Sequence, residues 1–268
     1  MIVNRLLIGQ YYALDSLAHR LDARAKLLAV LIYMIALFTA QQWISYLLLA
    51  AIFFLALIIS RIPFLFLWRG MWMIILFIVI SMFFNFFMVP GEVIASFGIF
   101  QLTEEGLTKG LLIGSRLLLL VLFASLLTLC TTPLDLTDGM ERLLSPLIRL
   151  GAPIHELAMI ISIALRFIPT ILQEFDRIIL AQRARGARFS GLGLIKKAQQ
   201  MMPLLIPLFI SSFRRAEDLA WAMEARCYRG GRGRSRWRQS QWKPRDTVTL
   251  LIFVFILLLV IYLRVKGL

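Results

Sequence analysis

The 268 residues are 60% hydrophobic, with a mean hydropathy of +0.83 and a formal net charge of +14 from 29 Lys/Arg and 15 Asp/Glu. That apolar content lies well above the ~45–50% of soluble domains, and several runs approach the ~20 residues needed to cross a bilayer, which excludes a soluble globular protein. The two cysteines, Cys130 and Cys227, lack metal-ligand spacing and do not suggest a structural disulfide, and the first 26 residues lack the apolar core of a cleavable signal peptide.

Residues 1–26 are polar and turn-rich, with Arg5, His19, Arg20, Arg24 and Lys26, and form a cytoplasmic N-terminal segment. Residues 27–131 form a four-span membrane region. The runs 27–40 and 43–59, separated by Gln41-Gln42, would make one helix of about 50 Å, too long for a ~30 Å hydrocarbon core, so a tight hairpin of two short or tilted spans is expected. Arg61, Pro63 and Arg69 mark the return. Residues 70–89 are a third span, and 90–110, with Glu92, Glu104 and Glu105, a less apolar outer segment. Residues 111–130 are a fourth span, with Arg116 placed to snorkel from its outer end.

Residues 132–245 read instead as a cytoplasmic-facing coupling domain. Residues 134–150 mix charges with leucines at helical spacing and form an amphipathic helix that Gly151-Ala152-Pro153 breaks. A long helical pattern then runs from Ile154 towards Arg185, with a kink expected at Pro169 and a stop at Gly186. Residues 196–226 repeat the plan, with Pro203 and Pro207 early. Residues 246–268 close the chain with a fifth transmembrane helix. The fold expected is therefore an all-α integral membrane protein, with about five spans and two long amphipathic helices that cross one another.

Charge concentrates in the coupling domain, with fifteen Lys/Arg against three Asp/Glu over residues 181–245. The positive-inside rule accounts for most of it and puts the stretch in the cytoplasm. Within it one motif is written twice, 41 residues apart: Ala181-Gln-Arg-Ala184-Arg185-Gly186-Ala-Arg188 and Ala222-Met-Glu-Ala225-Arg226-Cys227-Tyr-Arg229. Each central arginine falls on a last helical turn, where the helix dipole favours a cation by about 0.3–1 kcal/mol. Helix-end punctuation is thus one reading. The other is docking, because alanines three apart give each helix a smooth face, and an arginine fork beside it suits a groove with a carboxylate at its floor. Two such motifs imply two similar partners.

Several chemistries lack their residues. No G-x-x-x-x-G-K-[ST] string is present for ATP binding, His19 and His155 stand apart from any metal-ligand cluster, and no cofactor fingerprint occurs. The Arg/Gly/Trp-rich stretch near Trp237 and Trp242 fits lipid headgroups better than nucleic acid. An integral-membrane enzyme would need convergent His, Asp, Glu or Ser groups at membrane depth, and none are found. A conventional ABC-importer permease would carry a single coupling segment and line its own pore.

Three strings resemble the transmembrane (T) components of energy-coupling factor (ECF) transporters. They are Gly9-Gln-Tyr11…Asp15-Ser16…His19-Arg-Leu-Asp22-Ala-Arg24-Ala-Lys26, then Glu156-Leu-Ala…Ala164-Leu-Arg166-Phe-Ile-Pro169…Ala184-Arg185-Gly186, then Pro207-Leu-Phe…Phe213-Arg-Arg-Ala-Glu-Asp218…Ala225-Arg226-Cys227. The family's usual Ala-Arg-Gly reads Ala-Arg-Cys in the second copy. The resemblance implies a non-catalytic scaffold in the bacterial cell membrane. Its implied partners are two ABC-type ATPases, docked through Ala184-Arg185-Gly186 and Ala225-Arg226-Cys227 with Ala181, Ala222, Arg188, Arg229 and Pro169 in support, and a small substrate-binding membrane subunit for vitamin uptake. A dedicated cobalt or nickel system is the alternative within the family.

Overall fold

The structure is a computed structural model that describes residues 11–12, 14–97, 100–187, 194–230 and 241–266. Gly9 and Gln10 of the first family string, Arg188 of the first motif and the loop expected at 189–193 lie outside the described residues. The chain divides into two compact units, with boundaries at Leu143/Leu144 and at Arg238/Gln239.

The larger unit contains α1 (Ala23–Thr39), α2 (Trp43–Ser60), the short α3 (Phe64–Gly70), α4 (Trp72–Met88), α5 (Glu104–Cys130), α6 (Pro133–Leu144) and α9 (Pro244–Lys266). Asp22 caps α1 by accepting from the Arg24 N–H at 2.9 Å. Ala40 ends it in an extended conformation, so α1 and α2 form the expected hairpin across Gln41-Gln42. At a rise of about 1.5 Å per residue they are about 26 and 27 Å long. The Tyr33 hydroxyl donates to the Leu49 carbonyl at 3.1 Å and joins the two. The fully buried Tyr33 ring also stacks on Phe123 at 3.9 Å and meets Phe253 edge-on at 6.4 Å, so α1, α5 and α9 share one aromatic centre.

Two basic side chains close helix ends in this unit. Lys26, on α1, is 9% exposed, and its Nζ donates to the carbonyl of Cys130, the last residue of α5, at 2.8 Å. Arg116, on α5, donates from Nε to the Tyr46 hydroxyl at 2.9 Å and from Nη2 to the carbonyl of Ala40, just past α1, at 3.0 Å. Each helix therefore supplies a cation to the other's C-terminal end, where free carbonyls and the dipole favour positive charge. Arg116 thus serves the α1–α2 turn.

α4 packs on α5 through glycines four apart. A methyl at Gly106 would lie 2.6 Å from Thr103 Oγ1, one at Gly110 2.5 Å from Phe86 Cε1, and one at Gly114 would run into the Met82 sulfur. Close backbone approach of this kind is how helices associate where lipid removes the hydrophobic drive. Residues 90–110, read from sequence only as less apolar, hold an antiparallel ribbon, β1 (Val93–Phe97) with β2 (Phe100–Thr103), which pairs Val93 with Thr103 and Phe97 with Phe100. The fold is otherwise all-α. α9 starts beside α1, because the Asp22 N–H donates to the 1%-exposed Asp246 carboxylate at 2.9 Å. The two helices therefore run in the same direction.

Among the described residues, four helices are long and apolar enough to cross a membrane by length and composition: α2, α5, α7 (Ile154–Ala184) and α9. This set differs from the five spans expected. α4 is apolar but only 17 residues long, α1 also has 17, and α7 joins the set because its apolar residues lie ahead of Gln173 in a 31-residue helix. The amphipathic pattern over 134–150 splits into α6 and a 3-10 helix, Ser145–Leu150.

Ahead of α1, the chain folds back on the end of α5: the Tyr12 N–H donates to the Leu129 carbonyl at 3.0 Å. His19 Nε2 lies 3.0 Å from the Tyr12 carbonyl, which only accepts, so Nε2 carries the proton and Nδ1 accepts from the Ser16 hydroxyl at 2.7 Å. Partial burial lowers the His19 pKa from its ordinary value, and Lys26 adds repulsion, against the Tyr12 bond and the Asp15 charge that raise it.

Gly110→Val should lower thermal stability in detergent by about 1–3 kcal/mol through overpacking on Phe86. Gly70→Ala, with nothing within 4 Å of the added methyl, should leave stability unchanged or raise it. Because the folded protein favours neutral His19, its contribution is complete above pH ~6.5 and is lost as pH falls below that value towards the lower folded pKa. Thermal melts from pH 7.5 to 5.5 should show this loss, and His19→Gln should flatten it; the same slope in both proteins would refute the assignment.

Candidate functional site

The smaller unit is built on α7 (Ile154–Ala184) and α8 (Leu194–Ala225). The break expected at 151–153 is present, with Gly151 at φ +84. Pro169 sits inside α7, and Pro203 and Pro207 inside α8, with helix assigned straight through each. Each proline removes one backbone donor, which leaves the carbonyl four residues earlier without its helical partner.

The two motifs end their helices in the same way. In the first, Gly186 lies at φ +87, its N–H donates to the Arg183 carbonyl at 3.0 Å, and the Ala187 N–H donates to the Gln182 carbonyl at 3.0 Å. In the second, Cys227 lies at φ +55, its N–H donates to the Glu224 carbonyl at 2.8 Å, and the Tyr228 N–H donates to the Met223 carbonyl at 3.1 Å. Both are Schellman caps with identical spacing. The substitution of glycine by cysteine therefore leaves the left-handed turn intact and puts a β-carbon where it is strained. The turn is kept because the bonds to residues 223 and 224 hold it.

Ala181, Ala184, Arg185 and Gly186 are exposed, as are Ala222, Ala225, Arg226, Cys227 and Arg229. Among the described residues, neither the Arg185 nor the Arg226 guanidinium makes a hydrogen bond or ion pair. Each is thus a free cation beside an uncovered small-residue face, at the end of a rigid helix. Pro169 lies sixteen positions before Arg185, about 24 Å along the helix, so it belongs to the shaft of α7 and not to the motif surface.

The motifs sit at opposite ends of the helix pair. Arg215 of α8 donates from Nη2 to Glu174 of α7 at 3.0 Å, and the Tyr228 hydroxyl donates to the Met159 sulfur at 3.0 Å. Going forward along α8 therefore means going back along α7, so the helices are antiparallel. Arg185 lies eleven residues beyond Glu174, and Arg226 eleven beyond Arg215. The two arginines are then held on opposite sides of the contact, at most about 33 Å apart along the helices. The Glu174–Arg215 contact was missed from sequence; its signal was available, since the residues are separated by the same 41 positions as the two motifs.

Residues 15–237 match the family model described as CbiQ, cobalt transport protein. Proteins called energy-coupling factor transporter transmembrane protein EcfT are similar along most of their length. The one from Acidaminococcus fermentans is 50% identical over 85% of each chain, that from Listeria innocua 41% identical over 92% of this chain and 93% of its own, and that from Bacillus subtilis 40% identical over 98% and 100%. The chain is an all-α membrane protein of the transporter-subunit class. It belongs to the family of energy-coupling factor transporter transmembrane proteins.

The two caps carry opposite expectations. Cys227→Gly should stabilise the end of α8 by about 1 kcal/mol by removing left-handed strain, and Gly186→Ala should cost the end of α7 about the same. Thermal unfolding of the purified variants measures both, and shifts of the same sign would contradict the shared geometry.

Proposed function

We propose that this chain is the scaffold of an ECF-type importer, passing ATP-driven motion from two ABC-type ATPases to a small substrate-binding membrane subunit that delivers a vitamin. The observation that carries the proposal is the pair of equivalent helix ends, each with an unpaired arginine behind an exposed small-residue face. Ala184-Arg185-Gly186 would enter a groove on one ATPase and Ala225-Arg226-Cys227 the groove on the other, with Ala181, Ala222, Arg188 and Arg229 at the rims. A planar guanidinium satisfies a carboxylate at the groove floor with two hydrogen bonds and desolvates at lower cost than an ammonium. Hydrolysis belongs to the partners; this chain binds no nucleotide, cofactor or nucleic acid. Its N-terminus and coupling region face the cytoplasm, a placement supported by the fifteen Lys/Arg over residues 181–245.

The family model's description, cobalt transport protein, supports the cobalt form of a second reading within the same scaffold role, a dedicated cobalt or nickel system. The small membrane protein recovered with the complex separates the two, because that subunit binds the substrate.

Arg185→Ala or Arg226→Ala should each weaken ATPase association about 30-fold or more, the effect of truncating one member of a buried charged pair at about 2 kcal/mol or above. The double variant should lose co-purified ATPase and uptake together while its membrane level stays normal. Wild-type uptake in the double variant would sink the docking reading.

A further inference from the structure

The ion pair between α7 and α8 joins equivalent positions of the internal repeat. Glu174 and Arg215 are 41 residues apart, and each precedes the arginine of its own motif by eleven positions. Two equivalent positions of a duplicated helix touch only where the helices cross, on the local axis that relates them. A residue on that axis meets its own counterpart, so identical charges there would repel; the sequence departs from its repeat at this point and sets carboxylate against guanidinium.

Beside the ion pair, the Tyr228 hydroxyl donates at 3.0 Å, near the second motif, to the Met159 sulfur, a weak acceptor that a change of angle would release, and apolar burial is slight. Among the described residues of this unit only Ala158 and Leu204 are buried, and Ile161, Ile168, Phe209 and Phe213 along the shafts are exposed. Interlocked apolar ridges would hold the helices to one crossing angle. An ion pair between two flexible side chains, 27% and 35% exposed, keeps its contact while that angle changes.

We propose that Glu174 and Arg215 are the pivot of the two coupling helices, positioning residues that keep the crossing point fixed while the motif ends swing. The inference rests on the docking reading above. With arms of about 16 Å on either side, a rotation of about 20° at the pivot displaces each motif arginine by roughly 6 Å, comparable to one helical turn. Without the pair, the helices slide, and motion at the docking ends is dissipated instead of being transmitted.

The test uses the complete complex in proteoliposomes, with Glu174→Arg, Arg215→Glu and the double charge swap. Each single reversal should retain both ATPases in wild-type ratio and hydrolyse ATP within about twofold of wild type, while uptake per ATP falls about tenfold or more. The swap should restore uptake to within about threefold, because it rebuilds the pair with its ends exchanged. Wild-type uptake in the single reversals, loss of the ATPases from them, or no rescue by the swap would each overturn the pivot. A wild-type complex that carries no ATPase would overturn the docking reading instead. If a reversal fails to accumulate in the membrane, Glu174→Gln replaces it, since it keeps an acceptor for Arg215 without the charge. Uptake should then fall about threefold or more, and unchanged uptake would overturn the proposal.

Discussion

The larger unit depends on the exchange of cations between α1 and α5. A helix end inside an apolar medium leaves carbonyls without water, and each unsatisfied group there costs several kcal/mol. Lys26 closes the end of α5 and Arg116 the end of α1, so neither helix terminates satisfactorily without its neighbour. The cations are satisfied in the same contacts that satisfy the carbonyls, which is the condition under which a buried charge is tolerated. Everything else in the unit is arranged around this antiparallel pair. Tyr33 and Phe123 stack between the two helices, Phe253 brings α9 against them, and the glycines of α5 seat α4 on the remaining face.

The second unit is built on different physics. α7 and α8 are long, carry prolines and expose most of their apolar side chains, and the side-chain polar contacts between them among the described residues include the Glu174–Arg215 ion pair, with Tyr228, just past α8, against Met159 of α7. A densely packed unit stays rigid, whereas a thinly packed pair of stiff rods can change its crossing angle at small cost. The contrast fits the coupling role proposed above, in which one unit stays in place and the helix pair moves. The two Schellman caps hold each helix end up to its arginine, which on the proposed role would keep displacement from being lost in fraying.

Much of the site was legible before the fold was known. The duplicated alanine–arginine motif stood out by spacing alone, and glycine at 186 marked a helix end that the left-handed φ bears out. Cysteine at 227 carries no such signal, since β-carbon sterics argue against the conformation that backbone bonds to Met223 and Glu224 impose. The roles of Lys26 and Arg116 were hidden for another reason: their acceptors lie 104 and 76 residues away, and the acceptors are backbone carbonyls, which every residue has. The β-ribbon at 93–103 was obscured by its shortness, four and five residues that read as a merely less apolar stretch.

The sequence by itself determined the class of protein, the hairpin across Gln41-Gln42, the two long amphipathic helices and the paired arginines at their ends. These are consequences of local composition and period, and a chain carries them wherever it folds. Only the tertiary structure decided which helix closes which, that α1 and α9 run side by side in the same direction, and that Glu174 and Arg215 meet at the crossing. Those facts depend on contacts between residues distant in the chain, where many pairings satisfy the same local pattern and packing selects the one in which Lys26 and Arg116 reach the free carbonyls of the neighbouring helix ends.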